Sequence, residues 1–415
     1  MLKRKYYILV FFIFLFHFFS CSHEDTINGI SSNPSQGQID YTIKEKETIN
    51  PVIYTLEKND SFFISNKKIF IYNPYKDHPN KQFKGQLHCH SNKSDGELAP
   101  VAVMQKYIDY GYDFMTITDH NYLTSNPDPT LNIVWMGESY EDTRNSTGFQ
   151  HMNVFNCTEV IGRKKVTQST NTPESLINHY VKNGNSILSY NHPEDPTVYA
   201  SNTTLQNLPD SILFVEIFNG ASSTMLGSVE NISDLPTKAY FGDMYIVTST
   251  NKRYRNSSIY QNSPLWKETT EKKNPNANLD RGFRIMLDCG KKVFCDAVDD
   301  FHRGDNMENR GWMMVFAKQK TKESIWNGLI TGSSYASSGV ELNDIFFTNG
   351  IFGIDIKDGT EATTTFLGKG NAVLSTQKGK TPRYEVTGEE IYIRAMIEIN
   401  GKKAWSQPVW ILRNN

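Results

Sequence analysis

Cysteine is scarce in this 415-residue chain: Cys21, Cys89, Cys157, Cys289 and Cys295 are all it has. None stands in a CxxC pair, which argues against a structural zinc knot. Cys289 and Cys295 can pair in an oxidising compartment; the alternative is that the four beyond Cys21 are small core residues. An excess of one charge is also lacking, since 43 Lys and Arg face 45 Asp and Glu. Without a basic stripe, specific nucleic-acid recognition is not expected. The apolar run "ILVFFIFLFHFFS" near the N-terminus is too short for a comfortable bilayer span. Internal repeats are missing, and no Ser or Cys nucleophile stands in a convincing motif. Histidine is rare, at ten residues, yet two of them share "GQLHCHSNKSDGE" with one residue between. Aromatics, by contrast, abound, with 21 Tyr and 24 Phe, as in a folded globular chain with room for two or three domains.

The basic "MLKRKYY", the apolar run and Cys21 read together as a secretory signal. A cysteine at that boundary resembles the bacterial lipoprotein pattern, although "FFSC" carries Phe where Leu is usual. The "SHED" that follows resembles the acidic stretch of some surface-exported lipoproteins. This implies a signal peptide over 1–21, a lipid on Cys21, and a location outside the cytoplasm. The lipid would anchor the chain to the cell envelope, at the outer membrane, facing either the surface or the periplasm. Ordinary secretion or an uncleaved anchor is the competing reading. The Ser-, Asn-, Gly- and Gln-rich residues 22–40 then form a flexible tether.

Residues 41–84 read as a short β leader. From 85 the pattern turns to strand, helix, strand. "KGQLHCH" is a strand, and "LAPVAVMQKYIDYG" is a helix with Pro100 in its first turn and Gly111 as its stop. Val101, Met104 and Ile108 are expected to face the sheet. "YDFMTITDH", "SILSYNHP" and "LFVEIFNG" are further strands. "TPESLINHYVKNG" is a helix capped by Thr172, with Pro173 at its first position and Gly184 at its end. "TKESIWNGLITG" is a late helix. Such alternation predicts an α/β fold with a parallel sheet or barrel over 85–340. Residues 341–415 alternate apolar and polar, with a hairpin turn at Asn400-Gly401, and predict an antiparallel β-module packed on the barrel.

On a strand, residues two apart point to one side, so His88 and His90 aim two imidazoles at one point. Neutral imidazoles at a strand's C-terminal end suit a divalent metal. A lone HxH is a weak signal, but the chain adds to it. Asp95 follows in the next loop, Asp119 and His120 end the next strand, and Glu138 ends another. His151 and His192 stand in "QHMNVF" and "SYNHPED", while "DAVDDFHRG" supplies Asp300 and His302. In βα barrels the C-terminal face of the strands gathers catalytic groups. Glu159 in "FNCTEV" competes with Glu138. Asp119 would either orient a ligand histidine or cap the next turn. A structural role is expected for Asp299, and turn roles for Asn191 and Asn219. Arg303 and Arg310 are the nearest cations for an anionic group, and His179 lies mid-helix away from the set.

The order "HxH…D…H…E…H…H…DxH" resembles the PHP family, named for polymerase and histidinol phosphatase domains. Its motifs here are "HCHSNKSDGE", "TITDHN", "GES" with "QHMNVF", "NHP" and "DDFH", spread over roughly 84–340. The resemblance implies a distorted (β/α)7, TIM-like barrel with a C-terminal antiparallel, sandwich-like module. It also implies two or three divalent ions, Zn, Mn or Fe. His88, His90, Glu138 and Asp300 would hold one ion. Glu138 would bridge to a second on His151 and His192, and Asp95, His120 and His302 would hold a third. Late segments such as "NRGWMMVFA" and "AWSQPVW" look like a secreted branch of the same family.

The activity implied is metal-dependent hydrolysis of a phosphomonoester or phosphodiester in a small molecule, nucleotide, glycan or lipid. Because imidazoles must be neutral to bind, it should fall steeply below about pH 6. The same site could attack a carboxyl ester, amide or carbamate. A reading of another class is a surface module that binds a glycan or protein through residues 341–415.

Overall fold

Apolar alternation in "SFFISNKKIFIY" folds back as a hairpin, β1 (Asp60–Ile64) against β2 (Lys67–Tyr72). Ser65 and Asn66 make its turn at positive φ, 45° and 66°. The computed structural model describes residues 57–143, 151–165, 168–182, 186–193, 200–221, 238–241, 244–247, 280–303 and 308–412. The signal segment, Cys21, the tether and Gly184 lie outside them. No helix among the described residues is long and apolar enough to cross a membrane.

β3 (Gln82–Gln86), β4 (Phe114–Met115) and β5 (Val134–Trp135) are parallel neighbours, with helix α1 (Pro100–Asp109) crossing between the first two. Gly111, at φ 73°, follows the helix end as its stop. The buried face is not the expected Val101, Met104, Ile108 stripe. Val103, Met104 and Tyr107 are fully buried, Ile108 is only partly so, and Val101 is 44% exposed. The larger residue wins: the Tyr107 ring packs edge-on against Tyr112 and Phe301, and its hydroxyl donates to Asp299. Fully burying a side chain of this size contributes about 2–3 kcal/mol. Val101 is left facing out in the first turn.

The chain continues through β6 (Tyr140–Thr143), β7 (His151–Phe155) and a small hairpin, β8 (Arg163–Lys165) with β9 (Gln168–Ser169). Helix α2 (Pro173–Leu176) has Thr172 and Ser175 in a reciprocal capping box and runs on as one π turn, Ile177–Val181. β10 (Ile187–Tyr190), α3 (Asn202–Gln206) and β11 (Phe214–Asn219) come next. A second hairpin pairs β12 (Lys238–Phe241) with β13 (Met244–Val247). Then follow α4 (Arg281–Asp288) and β14 (Phe294–Val298). β14, β11 and β10 are parallel neighbours; β7 and then β6 extend this sheet antiparallel. Between the β3–β5 strands and this sheet the described links are isolated bridges, Cys89 to Phe301, His120 to Glu141 and Thr124 to Ser139. The result is a mixed α/β chain rich in strands and sparing in helices. It is not the continuous alternation expected of a regular barrel.

β15 (Trp312–Phe316), α5 (Lys322–Ile330, capped by Thr321) and β16 (Ser334–Ser337) lead into a run of strands. These are β17 (Leu342–Thr348), β18 (Ile351–Ile356), β19 (Thr363–Leu367), β20 (Val373–Lys378), β21 (Arg383–Glu385), β22 (Tyr392–Ile399), β23 (Lys402–Ser406) and β24 (Val409–Leu412). Asn400 and Gly401 turn β22 into β23 at φ 50° and 75°, the geometry that Asn-Gly favours.

Leader and C-terminal strands are one unit rather than two. The largest sheet runs β1-β2-β24-β22-β23-β16-β15-β3-β4-β5, so it passes without a break from the leader, through the late strands, to the strand before His88. Phe62, Ile69 and Ile71 from the leader share an apolar core with Ile393, Ile397 and Ile411 of that sheet and with Ile345, Phe352 and Ile354 of the smaller β17-β18-β21 sheet. Gln407 stitches this unit to β14. Its amide oxygen accepts from Cys295 N and its amide nitrogen donates to Cys295 O, both at 2.8 Å, as a neighbouring strand would.

Candidate metal centre

Beyond β3 the chain stays extended. The Gln86 side-chain oxygen accepts from the N–H groups of Leu87, His88 and Asp299. His88 and His90 are fully buried, while Cys89 between them turns its sulfur to the Thr116 carbonyl. The two Nε2 atoms stand 3.1 Å apart. Asp300 Oδ1 lies 3.3 Å from the first and 3.1 Å from the second. Glu141 adds one oxygen at 3.6 Å from His88 Nε2 and the other at 3.5 Å from His90 Nε2.

Glu141 is the hub of the remaining histidines. Its Oε2 is 2.7 Å from His120 Nδ1, and its Oε1 is 3.0 Å from His151 Nδ1 and 3.3 Å from His192 Nε2. Asp95, with a half-exposed side chain, reaches His120 Nε2 at 3.3 Å and His302 Nε2 at 3.4 Å. Three groups could each hold an ion: His90, Asp95, His120 and His302; His88, His90 and Glu141; His120, Glu141 and His151. Within each, the offered ligand atoms lie within 4.8 Å of one another.

The loop carrying Asp95 is built to hold its place. Gly96 donates its N–H to the Ser91 carbonyl. A Cβ on Gly96 would stand 2.7 Å from the backbone carbon and oxygen of His90, too close for any side chain. Asp119 accepts from Ser91 N and Ser91 Oγ at 2.7 Å, from Ser94 Oγ at 2.8 Å, and from Thr124 Oγ1. Its carboxylate therefore ties down the loop; of the two roles open from the sequence, orienting a ligand histidine or capping the next turn, these contacts are with loop hydroxyls and a loop N–H rather than with a ligand imidazole.

The structure brings together His88, His90, Asp95, His120, His151, His192, Asp300 and His302, and leaves Glu138 out. Glu138 follows Gly137, at φ 102°, in the turn before β6, and its carbonyl accepts from Cys157 N. The carboxylate among the imidazoles is Glu141, three residues on, where the chain has resumed as a strand and the interior position falls to it. Glu159, the competing candidate, pairs with His179 at 3.0 Å on the exposed surface. Asn191 and Asn219 are more than turn residues: Asn191 donates to Glu141 Oε1 at 2.8 Å, and Asn219 donates to Asp300 Oδ2 at 3.1 Å. Asp299 accepts from the N–H groups of Asn309, Arg310 and Gly311. Arg303 and Arg310 are partly exposed. Cys289 and Cys295 are both free thiols.

Glu216 escaped the sequence reading, although a charged residue inside the apolar run "FVEIFN" is a visible signal. Its Oε1 lies 2.5 Å from His88 Nδ1.

The donor set fits a divalent cation. Glu141 Oε2, Asp300 Oδ1 and His120 Nδ1 are buried with ionisable neighbours at 2.7–3.3 Å but in no well-aligned hydrogen bond, and His192 Nδ1 is buried without a hydrogen-bond partner. Buried polar atoms rarely stay unpartnered unless an ion or water completes them. Burial, then the neighbouring His302 and His120, push His90 down to about 4, which keeps it neutral. Burial works against ionising Glu141, but His151, His88 and His120 hold it well below the usual carboxylate range. Burial also opposes charge on His88, where the carboxylates of Asp300, Glu216 and Glu141 prevail and pull it upward. Protons and a divalent ion thus compete for one negative pocket. Imidazole with carboxylate suits Zn, Mn or Fe.

No family model matches this chain, and no curated protein does. One solved structure that resembles it is a two-domain protein containing a predicted PHP-like metal-dependent phosphoesterase from Bacteroides vulgatus. The two are 14% identical, with 79% of this chain and 93% of that one covered and a TM-score of 0.39. Another is a protein from Bifidobacterium adolescentis described only by inference as a metal-dependent phosphoesterase. It is 12% identical, with 52% and 87% covered and a TM-score of 0.28. Likenesses of this size leave the functional reading to the side chains themselves.

Proposed function

We propose that the chain is a metal-dependent hydrolase of phosphoesters, working at a di- or trinuclear site in a distorted seven-stranded, TIM-like barrel of the PHP type. One observation carries the reading: two buried imidazoles turn their Nε2 atoms toward the buried carboxylates of Glu141 and Asp300, all within 3.6 Å. His88, His90, Glu141 and Asp300 would hold one ion, Glu141 with His151 and His192 a second, and Asp95, His120 and His302 a third. Bound divalent ions would supply Lewis acidity, making a water nucleophilic near neutral pH and offsetting charge that builds on phosphoryl oxygens.

The chain's own residues do the rest. Buried carboxylates set the negative field that gathers cations, and buried imidazoles turn their ring nitrogens to the same point. Arg303 and Arg310 would meet an anionic substrate group. The three buried cysteines are poor nucleophiles: burial drives the Cys89 and Cys295 thiols far above their usual range, and Cys157 up to about 12. The lipid-anchored, extracytoplasmic placement rests on Cys21 and its preceding apolar run, so the substrate would be met outside the cytoplasm.

The test is metal analysis of the purified chain with parallel assays on a chromogenic phosphodiester, a phosphomonoester and an aryl ester. Two or three divalent ions per chain and phosphoester turnover that chelation abolishes are expected. Turnover of the aryl ester alone would move the chain to carboxyl-ester chemistry, and a chain that takes up no ion would end the proposal.

A further inference from the structure

Glu216 is a carboxylate with a fully buried side chain in the middle of a parallel strand, a costly position unless each oxygen is matched. Both are. Oε1 faces His88 Nδ1 at 2.5 Å. Oε2 accepts from the backbone N–H of His192 at 2.6 Å and from Asn219 Nδ2 at 2.9 Å. The same Asn219 nitrogen lies 3.1 Å from Asp300 Oδ2. One side chain therefore touches His88 and His192 directly and reaches Asp300 through a single amide.

Two details show that the strand is shaped around this residue. The β11–β14 ladder pairs Glu216 with Asp296 and then Phe218 with Ala297, so Ile217 is an extra residue that breaks the register immediately after Glu216. Irregularities of this kind re-aim a side chain beside a functional site. In addition, His192 and Asp300 both hold positive φ, 25° and 52°, which is costly for residues other than glycine. These are the two that Glu216 holds, one by its N–H and the other through Asn219.

We propose that Glu216 is the positioning residue of the metal centre. It accepts the Nδ1–H of His88, which fixes that tautomer and leaves the Nε2 lone pair facing Asp300 and Glu141. With its other oxygen it pins His192 and, through Asn219, Asp300 in their strained conformations. The inference rests on the reading that the cluster binds divalent ions, and it adds the residue that decides which histidine nitrogen they meet.

Glu216→Gln tests it. The amide has a single acceptor oxygen, so either His88 Nδ1–H or the His192 N–H must then face a donor. In the full-length chain saturated with Zn2+ and labelled with [15N]histidine, His88 should carry its one ring proton on Nδ1 in the wild type and change tautomer in the variant. Zn2+ affinity, measured by competition with a chromophoric chelator, should fall about 10- to 100-fold for at least one ion. Asn219→Ala should weaken binding less and leave the His88 tautomer alone. Circular dichroism checks that both variants fold. Wild-type affinity together with an unchanged tautomer in Glu216→Gln would overturn the positioning role while leaving the metal site standing. A wild-type chain that binds no Zn2+ would overturn both.

Discussion

His78 Nε2 stands 3.0 Å from Asp344 Oδ1 and 2.9 Å from the Ile345 carbonyl, while its Nδ1 lies 3.1 Å from the Pro79 carbonyl. Both ring nitrogens face acceptors, an arrangement only the imidazolium satisfies, since neutral imidazole has one N–H. Burial works against that charge, but the Asp344 hydrogen bond prevails and raises the His78 pKa. The hydrogen bond from His78 in turn lowers Asp344, against burial. The His78 contribution is fully present below its unfolded value of about 6.5 and is lost as pH rises through the raised folded value. The Asp344 contribution is present above about 3.9 and is lost as pH falls through its lowered value. The pair therefore stabilises most between about pH 4 and 6.5. His78→Gln should lower the urea midpoint more at pH 5.5 than at pH 9; equal losses at the two would refute this.

Exchange of the two neighbouring glutamates separates the sequence's choice from the structure's. Glu141→Gln should remove bound metal and cut turnover by more than about 100-fold, because it weakens the hub shared by several imidazoles. Glu138→Gln should leave both near wild type. Metal content per chain after gel filtration reads this directly, and normal loading of Glu141→Gln would dismiss it as a ligand.

Gly96→Ala should fold yet load metal poorly. The new methyl collides with His90 backbone atoms rather than with a flexible side chain, so the Asp95 loop must move. A crystal structure or metal titration that finds this variant unchanged would contradict the tight packing described.

Asp119→Ala leaves Ser91 N–H, two serine hydroxyls and a threonine hydroxyl without their acceptor in a buried place. A loss of about 2–3 kcal/mol in folding stability is expected. Asp119→Asn, which keeps one acceptor oxygen, should cost less. Urea melts of the two variants give the comparison.

Much of the site was legible because its spacing is local. HxH and DxH announce themselves by the two-residue repeat of an extended chain, and "SDG" places Asp95 in the loop just after the first of them. Glu141 was not legible in that way. Three acidic residues, Glu138, Glu141 and Asp142, crowd one short stretch, and the choice depends on where the chain turns at Gly137 and resumes as strand β6. Glu216 gave a signal, a charge within an apolar strand, but its partners lie far away in sequence. The α1 face was misjudged because periodicity treats Val101 and Tyr107 as equal, whereas packing favours the larger ring. The shared sheet of leader and late strands could not be read at all, since pairing across hundreds of residues leaves no local trace.

That pairing also sets an order of events. Ile71 lies opposite Ile411, so the ribosome makes the leader hairpin long before the segment that will lie beside it. Until then an apolar ribbon waits with one edge open, a surface that invites aggregation. Shortening the chain to residues 85–340 would not free a tidy catalytic core: it would strip β1, β2, β19, β20 and β22–β24 from a continuous sheet, remove the β17-β18-β21 sheet and bare the flank of β16.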